Sequence, residues 1–197
     1  NRWADADMNQ YLDYAMGKNP THVMPLWFKP KKKLSVQDVK DMMRDHYEGT
    51  PLEIQSDLGM GPYEMPYRPT PLTYEVDGKK YFNERPISTQ QSSCIYVSQM
   101  RSWLPNHIGG CLWFGNDEAN MVALTPIYCC VSEAPICYHQ NTADTFHFSL
   151  HSAFWLCNWV SNMVYMRYNQ LFPELKAVRE SLEMTYRNPP AETEAKA

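Results

Sequence analysis

The sequence predicts an α+β fold in which an antiparallel meander is flanked by helices. Three observations carry that prediction. Apolar residues at helical spacing occupy both ends of the chain, and β-prone runs separated by short polar turns lie between them. A two-residue turn signal, Asp77-Gly78, also divides two further β-prone runs.

The first helix is read from Asp5 to Met16, where Met8, Leu12, Ala15 and Met16 share a face and Gly17 supplies a left-handed stop. Ser35 caps the second, with Asp38 at the capping-box distance. Val36, Val39, Met42, Met43 and Tyr47 line its apolar face up to Gly49, so Lys40, Asp41, Arg44 and Asp45 are expected to meet water. Five prolines and three glycines between Gly49 and Pro71 then favour a long ordered loop. In "LTYEVDGKKYF" both turn positions suit positive φ, which predicts a tight hairpin.

The meander follows. Ile87 to Met100 reads as a strand, Leu104 to Gly110 as a turn, Cys111 to Phe114 as a strand, Gly115 to Asn120 as a turn, and Met121 to Tyr128 as the third strand. An irregular section runs from Cys130 to Phe148. The longest helix is read from His151 to Leu171, its wide apolar face (Phe154, Trp155, Trp159, Val160, Met163, Val164, Tyr168) implying heavy burial against a sheet. Pro173 opens a last helix with Leu175, Val178, Leu182 and Tyr186 on one side.

Composition narrows the partners. With 197 residues and 44% hydrophobic content the chain can build a real core, and its formal charge of −4 argues against nucleic acid or an anionic membrane as a ligand. The run "KPKKK" at Lys29 to Lys33 reads as a solvated loop before a helix. The most apolar window, "AFWLCNWVSNMVYMRYNQLF", contains Asn158, Asn162, Arg167, Asn169 and Gln170, too polar a set for a membrane span. Six cysteines lie mostly among apolar residues and read as small hydrophobes.

Three constellations are candidates for chemistry. Cys129, Cys130, Cys137 and His139, with His147 and His151 nearby, lack the paired-knuckle spacing of structural zinc, so no metal and no cofactor are expected. The cysteines also lack a helix-start or basic setting that would activate a thiol, and no nucleophile elbow, phosphate-cradling loop or HExxH pair occurs. The third set is polar and lies in or beside the meander. Gln90 and Gln91, read as mid-strand, suit a peptide-like ligand, with Arg85 and Asn116 beside them, although polar residues on a solvent face would look the same.

Four blocks then resemble a known family: "RDHYEGTP" at Arg44 to Pro51, "ERPISTQQSS" at Glu84 to Ser93, "QMRSWLPNHIGGCLWFGNDEA" at Gln99 to Ala119, and "SAFWLCNWVSNMVYMRY" at Ser152 to Tyr168. In order and spacing, from about Lys29 to Tyr186, they are similar to the carboxy-terminal part of the PepD-like dipeptidases, cysteine-type amino-terminal-nucleophile hydrolases. The resemblance implies an αββα sandwich of two facing antiparallel sheets between helix layers. It also implies dipeptide hydrolysis through a thioester on an amino-terminal cysteine.

This chain begins at Asn1, so the resemblance places nucleophile and oxyanion residues in an upstream half, and no catalytic residue is expected here. Residues 1–187 are then the carboxy-terminal part of the hydrolase domain and 188–197 a flexible tail. Gln91, Asn116 and Arg85 are the expected substrate contacts, a dipeptide and the upstream half the expected partners, and self-association of the isolated chain is expected. A non-catalytic binding or structural module of the same fold is the alternative reading.

Overall fold

The computed structural model describes residues 2–57, 60–68, 73–82, 85–139, 141 and 143–187; the tail expected at 188–197 lies outside the described residues. The chain forms two compact units, Asn1–Val39 and Lys40–Ala197. In the first, a 3-10 turn at Met8–Tyr11 leads into the single turn of α1 (Leu12–Ala15), with the Asp7 carboxylate accepting from the backbone of Asn9 at 3.0 Å. Gly17 follows at φ 71°, as its left-handed stop requires. A bridge between Ala4 and Pro30 closes this unit's chain on itself.

The division falls within α2 (Val36–Met43), whose amino terminus carries the expected capping box. Asp38 N donates to Ser35 Oγ at 3.1 Å and Ser35 N donates to Asp38 Oδ2 at 2.8 Å. Those bonds, with Lys32 at 3.0 Å, pull the Asp38 carboxyl down to about 2.

In the second unit β1 (Thr73–Val76) and β2 (Lys79–Phe82) form the expected hairpin, with Asp77 at φ 51° and Gly78 at φ 75°. The meander is an antiparallel sheet in the order β3 (Cys94–Met100), β4 (Gly110–Asn116), β5 (Thr125–Tyr128). Its register sets Val97 beside Trp113 and Trp113 beside Pro126. Ile95, Val97, Cys111 and Trp113 are buried on one face, while Tyr96 and Met100 on the other are exposed. The single turn of α3 (Asn106–Gly109) lies where a plain turn was expected.

Several expected boundaries move. The first meander strand starts at Cys94 rather than Ile87, because residues 88–92 turn back: Ser92 N bonds Thr89 O at 3.0 Å and Gln90 Nε2 bonds Arg68 O at 2.6 Å. Gln90 and Gln91 are therefore loop residues, not strand residues. The third starts at Thr125, since Ala119 and Val122 give their carbonyls to Arg44 instead of a strand ladder. The expected helix from His151 is α4 (Ala153–Tyr165), capped by Ser152, and α5 runs Tyr168–Arg187 with Pro173 inside it.

Burial is corrected as well. The expected water-facing side of α2 is not wet: Lys40 is 2% exposed, and Arg44 just beyond the helix is buried too. Conversely Trp159, Val160 and Met163 of α4 are exposed, and so are Val178 and Leu182 of α5. Tyr168, Arg179 and Glu183 form the buried side of α5, so its interior contacts are polar.

Candidate functional site

The site is built at the turn after β4. Asp117 adopts a left-handed backbone at φ 85° and donates its N–H to Ser93 O at 2.8 Å. That reversal sends Glu118 inward, where it is 0% exposed. Its Oε1 accepts from Ser88 Oγ at 2.8 Å and faces His46 Nε2 at 3.3 Å, and its Oε2 accepts from the Tyr165 hydroxyl at 2.8 Å.

His46 is the centre of the arrangement. It sits on the loop after α2, where Tyr47 at φ 65° reverses the backbone and is held by Asp45 Oδ1 at 2.6 Å. The reversal brings Glu48 back onto the ring, with Nδ1 to Oε1 at 3.0 Å and His46 N to Oε2 at 2.9 Å. Both ring nitrogens thus face carboxylates, and both can donate only when the ring is an imidazolium. Burial opposes that charge, but the bonds to Glu118 and Glu48 outweigh it and raise the His46 pKa above 6.5. Burial likewise resists the Glu48 charge, and His46 overcomes it, holding the carboxyl at about 2.

Tyr67 packs over this pair, 6.0 Å from the His46 ring and edge-on to Tyr165 at 5.2 Å. Burial and then the charge of Glu118 push both phenols upward, so both stay protonated at neutral pH.

A second buried group pins the 119–124 segment. Arg44 donates to the carbonyls of Ala119 and Val122 at 2.8 and 3.1 Å and grips Glu183 through both terminal nitrogens at 3.2 and 2.6 Å. Glu183 also accepts from Leu124 N at 2.8 Å and has Lys40 at 3.8 Å. Lys40 Nζ stands 3.9 Å above the Trp113 ring; burial, only partly offset by Glu183, lowers it to about 8. Arg179 donates to the backbone oxygen and to Oδ1 of Asn120, and Asn120 Nδ2 donates to the Tyr168 hydroxyl at 2.9 Å.

Above the first group lies a recess of about 290 Å³ lined by Tyr67, Gln90, Asn158, Asn162 and Tyr165 among others. Two of these, Tyr67 and Tyr165, belong also to the buried group, so the recess and the Glu118–His46 pair share a wall. Asp117 sits behind Asn158 and Ser161; burial raises its pKa, and the two polar neighbours only partly oppose that rise.

The expected substrate contacts are dispersed. Gln91 is exposed and accepts from Thr89 Oγ1 at 2.5 Å; Asn116 ends β4 opposite Cys94; Arg85 is exposed and its carbonyl accepts from the Tyr47 hydroxyl at 3.3 Å. Among the described residues no hydrogen bond joins any two of them. Gln90, read in the sequence with Gln91 as suited to a peptide-like ligand but not among the three expected substrate contacts, is the one at the recess. His46, Glu48 and Glu118 were missed, although each lies inside or beside a quoted block, because a charged residue in a Gly/Pro-rich loop reads as solvated.

Of the sulfur and imidazole groups that could ligate a metal, Cys129 and Cys130 are exposed and His139 Nε2 faces Ala134 O at 2.7 Å. Among the described residues no three or more His, Cys, Asp or Glu side chains gather as a metal site. No helix among them is long and apolar enough to cross a membrane.

A family model described as Peptidase family C69 matches residues 3–181. The chain is 26% identical to Dipeptidase A of Lactobacillus helveticus over 150 residues, covering 76% of this chain and 27% of that protein. It is 24% identical to Probable dipeptidase B of Lactococcus lactis subsp. lactis (strain IL1403) over 123 residues, covering 61% of this chain and 22% of that protein. The chain thus spans about a quarter of the length of the curated relatives it matches.

Proposed function

The chain belongs to peptidase family C69, and from that membership we propose that it is the carboxy-terminal portion of a dipeptidase. The family match over residues 3–181 carries this reading, and two relatives named dipeptidases support it. The nucleophile is an amino-terminal cysteine supplied upstream. Its thiolate attacks the amide carbonyl carbon, the oxyanion is met by hydrogen-bond donors, and the leaving amine takes its proton from the cysteine's own α-ammonium. Water then attacks the thioester, releasing the acid and restoring the thiol.

Two of this chain's own thiols suit a structural role better, although Cys94, Cys129 and Cys130 are exposed rather than packed as the sequence suggested. Cys111 is buried, and burial pushes the Cys157 thiol up to about 11. The unequal faces of β3, β4 and β5 support the sandwich: helices cannot account for an exposed Tyr96 and Met100, whereas a second sheet packed on that face would cover them. In this reading the Glu118–His46–Glu48 group holds three loops in place, and Gln91, Asn116 and Arg85 remain proposed substrate contacts.

The test is to express the parent polypeptide and the isolated chain and assay both against a panel of dipeptides. The parent should hydrolyse them and lose activity when its amino-terminal cysteine is replaced by serine, while the isolated chain gives background. A parent with no dipeptide hydrolysis returns the fold to the non-catalytic alternative. Turnover by the isolated chain, abolished by a thiol reagent, would place the nucleophile within these 197 residues.

A further inference from the structure

We infer that the recess above Tyr67 and Tyr165 binds a primary ammonium group carried by a small peptide. Most of the polar groups lining it have already committed their protons elsewhere. Asn162 Nδ2 donates to Asn158 O at 2.7 Å and to Asn158 Oδ1 at 3.1 Å. A backbone carbonyl can only accept, so the amide orientation is determined and Asn162 Oδ1 is left over. Gln90 is oriented in the same way: its Nε2 donates to Arg68 O at 2.6 Å, and its Oε1 lies 2.9 Å from Thr89 Oγ1, whose single proton is shared with the closer Gln91 Oε1. The Tyr165 hydroxyl gives its only proton to Glu118 and keeps its lone pairs.

Behind Asn158 lies the Asp117 carboxyl, a further oxygen-rich group on that side. The groups left for an occupant are mainly oxygen acceptors, together with two aromatic rings and the thioethers of Met65 and Met166; the buried Tyr67 hydroxyl, without a hydrogen-bond partner among the described residues, can accept as well as donate. Aromatic faces also attract cations. Beneath the floor, two carboxylates, Glu48 and Glu118, face one imidazolium, His46, so the local field is negative. The Arg68 guanidinium, a neighbouring cation, is committed to Asp57 at 2.7 Å.

An occupant matching this lining donates hydrogen bonds and carries positive charge. At about 290 Å³ the recess is at the small end for a ligand pocket, enough for an ammonium and the residue bearing it. The free amine of a dipeptide and a lysine side chain share this chemistry. The inference rests on the dipeptidase reading only in choosing a peptide as the carrier.

The isolated chain is titrated to about 20 mM, in the range of weak small-ligand affinity, with glycylglycine, N-acetylglycylglycine and Nα-acetyl-lysine, observing the methionine methyl resonances. Glycylglycine should shift Met65 and Met166, and acetylation of its amine should weaken binding by about tenfold or more, the effect of losing a charge-assisted hydrogen bond. Asn162 is exposed, so its variants should fold, with at most a small loss in melting temperature from the bonds to Asn158: Asn162→Asp should tighten binding several-fold and Asn162→Lys should abolish it. Nα-acetyl-lysine binding as tightly as glycylglycine upholds the ammonium site and identifies a side chain as its source. Equal binding of the acetylated peptide, weaker binding by Asn162→Asp, or no shift at either methionine overturns the inference. Ammonium-selective binding alongside a parent that hydrolyses no dipeptide would remove the dipeptidase reading and leave the recess. Hydrolysis without amine selectivity in the recess would do the reverse.

Discussion

His46 carries a positive charge in a buried place because two carboxylates make the charged form the stable one. Its folded pKa lies above 6.5, so the stabilisation it contributes is complete below about 6.5 and is lost as pH rises through the raised value. Urea midpoints measured across pH 6 to 8 should therefore fall for the native chain and stay nearly level for His46→Gln. Lys40 has the opposite sign. With its pKa lowered from 10.5 to about 8, its burial cost is relieved as pH rises beyond 8, so stability measured there should recover in the native chain but not in Lys40→Met. Glu183 is the counter-charge for Arg44 and Lys40, and Glu183→Ala would leave both buried and unpaired. Denaturant unfolding should show a loss of about 3–5 kcal/mol for Glu183→Ala, while Lys40→Met, which keeps the side chain's packing against Trp113, should cost less than ~1.5 kcal/mol.

Among the elements, β4 has the least freedom. A Cβ on Gly115 would stand 2.9 Å from both Leu124 Cδ2 and Val122 Cγ2, atoms of the segment that Arg44 and Glu183 hold in place. Neither neighbour can retreat without disturbing that segment, so Gly115→Ala should destabilise by about 1–3 kcal/mol in the same unfolding measurement. The helices behave differently from an ordinary amphipathic pair. The inward side of α5 is chosen by ion pairs and hydrogen bonds rather than by its leucines, which leaves Val178 59% and Leu182 44% exposed. Replacing both with glutamate should leave the melting temperature nearly unchanged, since neither contributes a buried contact of its own.

Taken over the whole chain, the second unit presents apolar side chains on one sheet face and on two helices: Tyr96 and Met100, Trp159 and Met163, Val178 and Leu182. Exposed apolar surface beyond a few hundred Å² usually meets a partner. The isolated chain should therefore self-associate in light scattering and, on the proposed reading of it as a carboxy-terminal portion, an upstream part supplied in trans should compete with that association. The Val178→Glu, Leu182→Glu variant should associate less. A monodisperse monomer that ignores the added segment would remove the reading of this chain as part of a larger hydrolase domain.

By itself the sequence determined what depends on neighbours a few residues apart. The Ser35–Asp38 capping box, the Asp77-Gly78 hairpin and the order of the three meander strands were legible because turn chemistry and short-period alternation act locally. What only the tertiary structure decided is which polar residues are inside. Arg44 and Glu183 are 139 positions apart, and His46 and Glu118 are 72 apart. Each looks, in its own segment, like a charge bound for water. Burial of such a group is stable only when its partner arrives from a distant segment, and no pattern within either segment encodes that arrival. For the same reason Ile87 to Ser93 has the composition of a strand yet folds as a loop. Ser88 is drawn to Glu118 and Gln90 to Arg68, and these contacts outweigh a local preference worth about 1 kcal/mol or less.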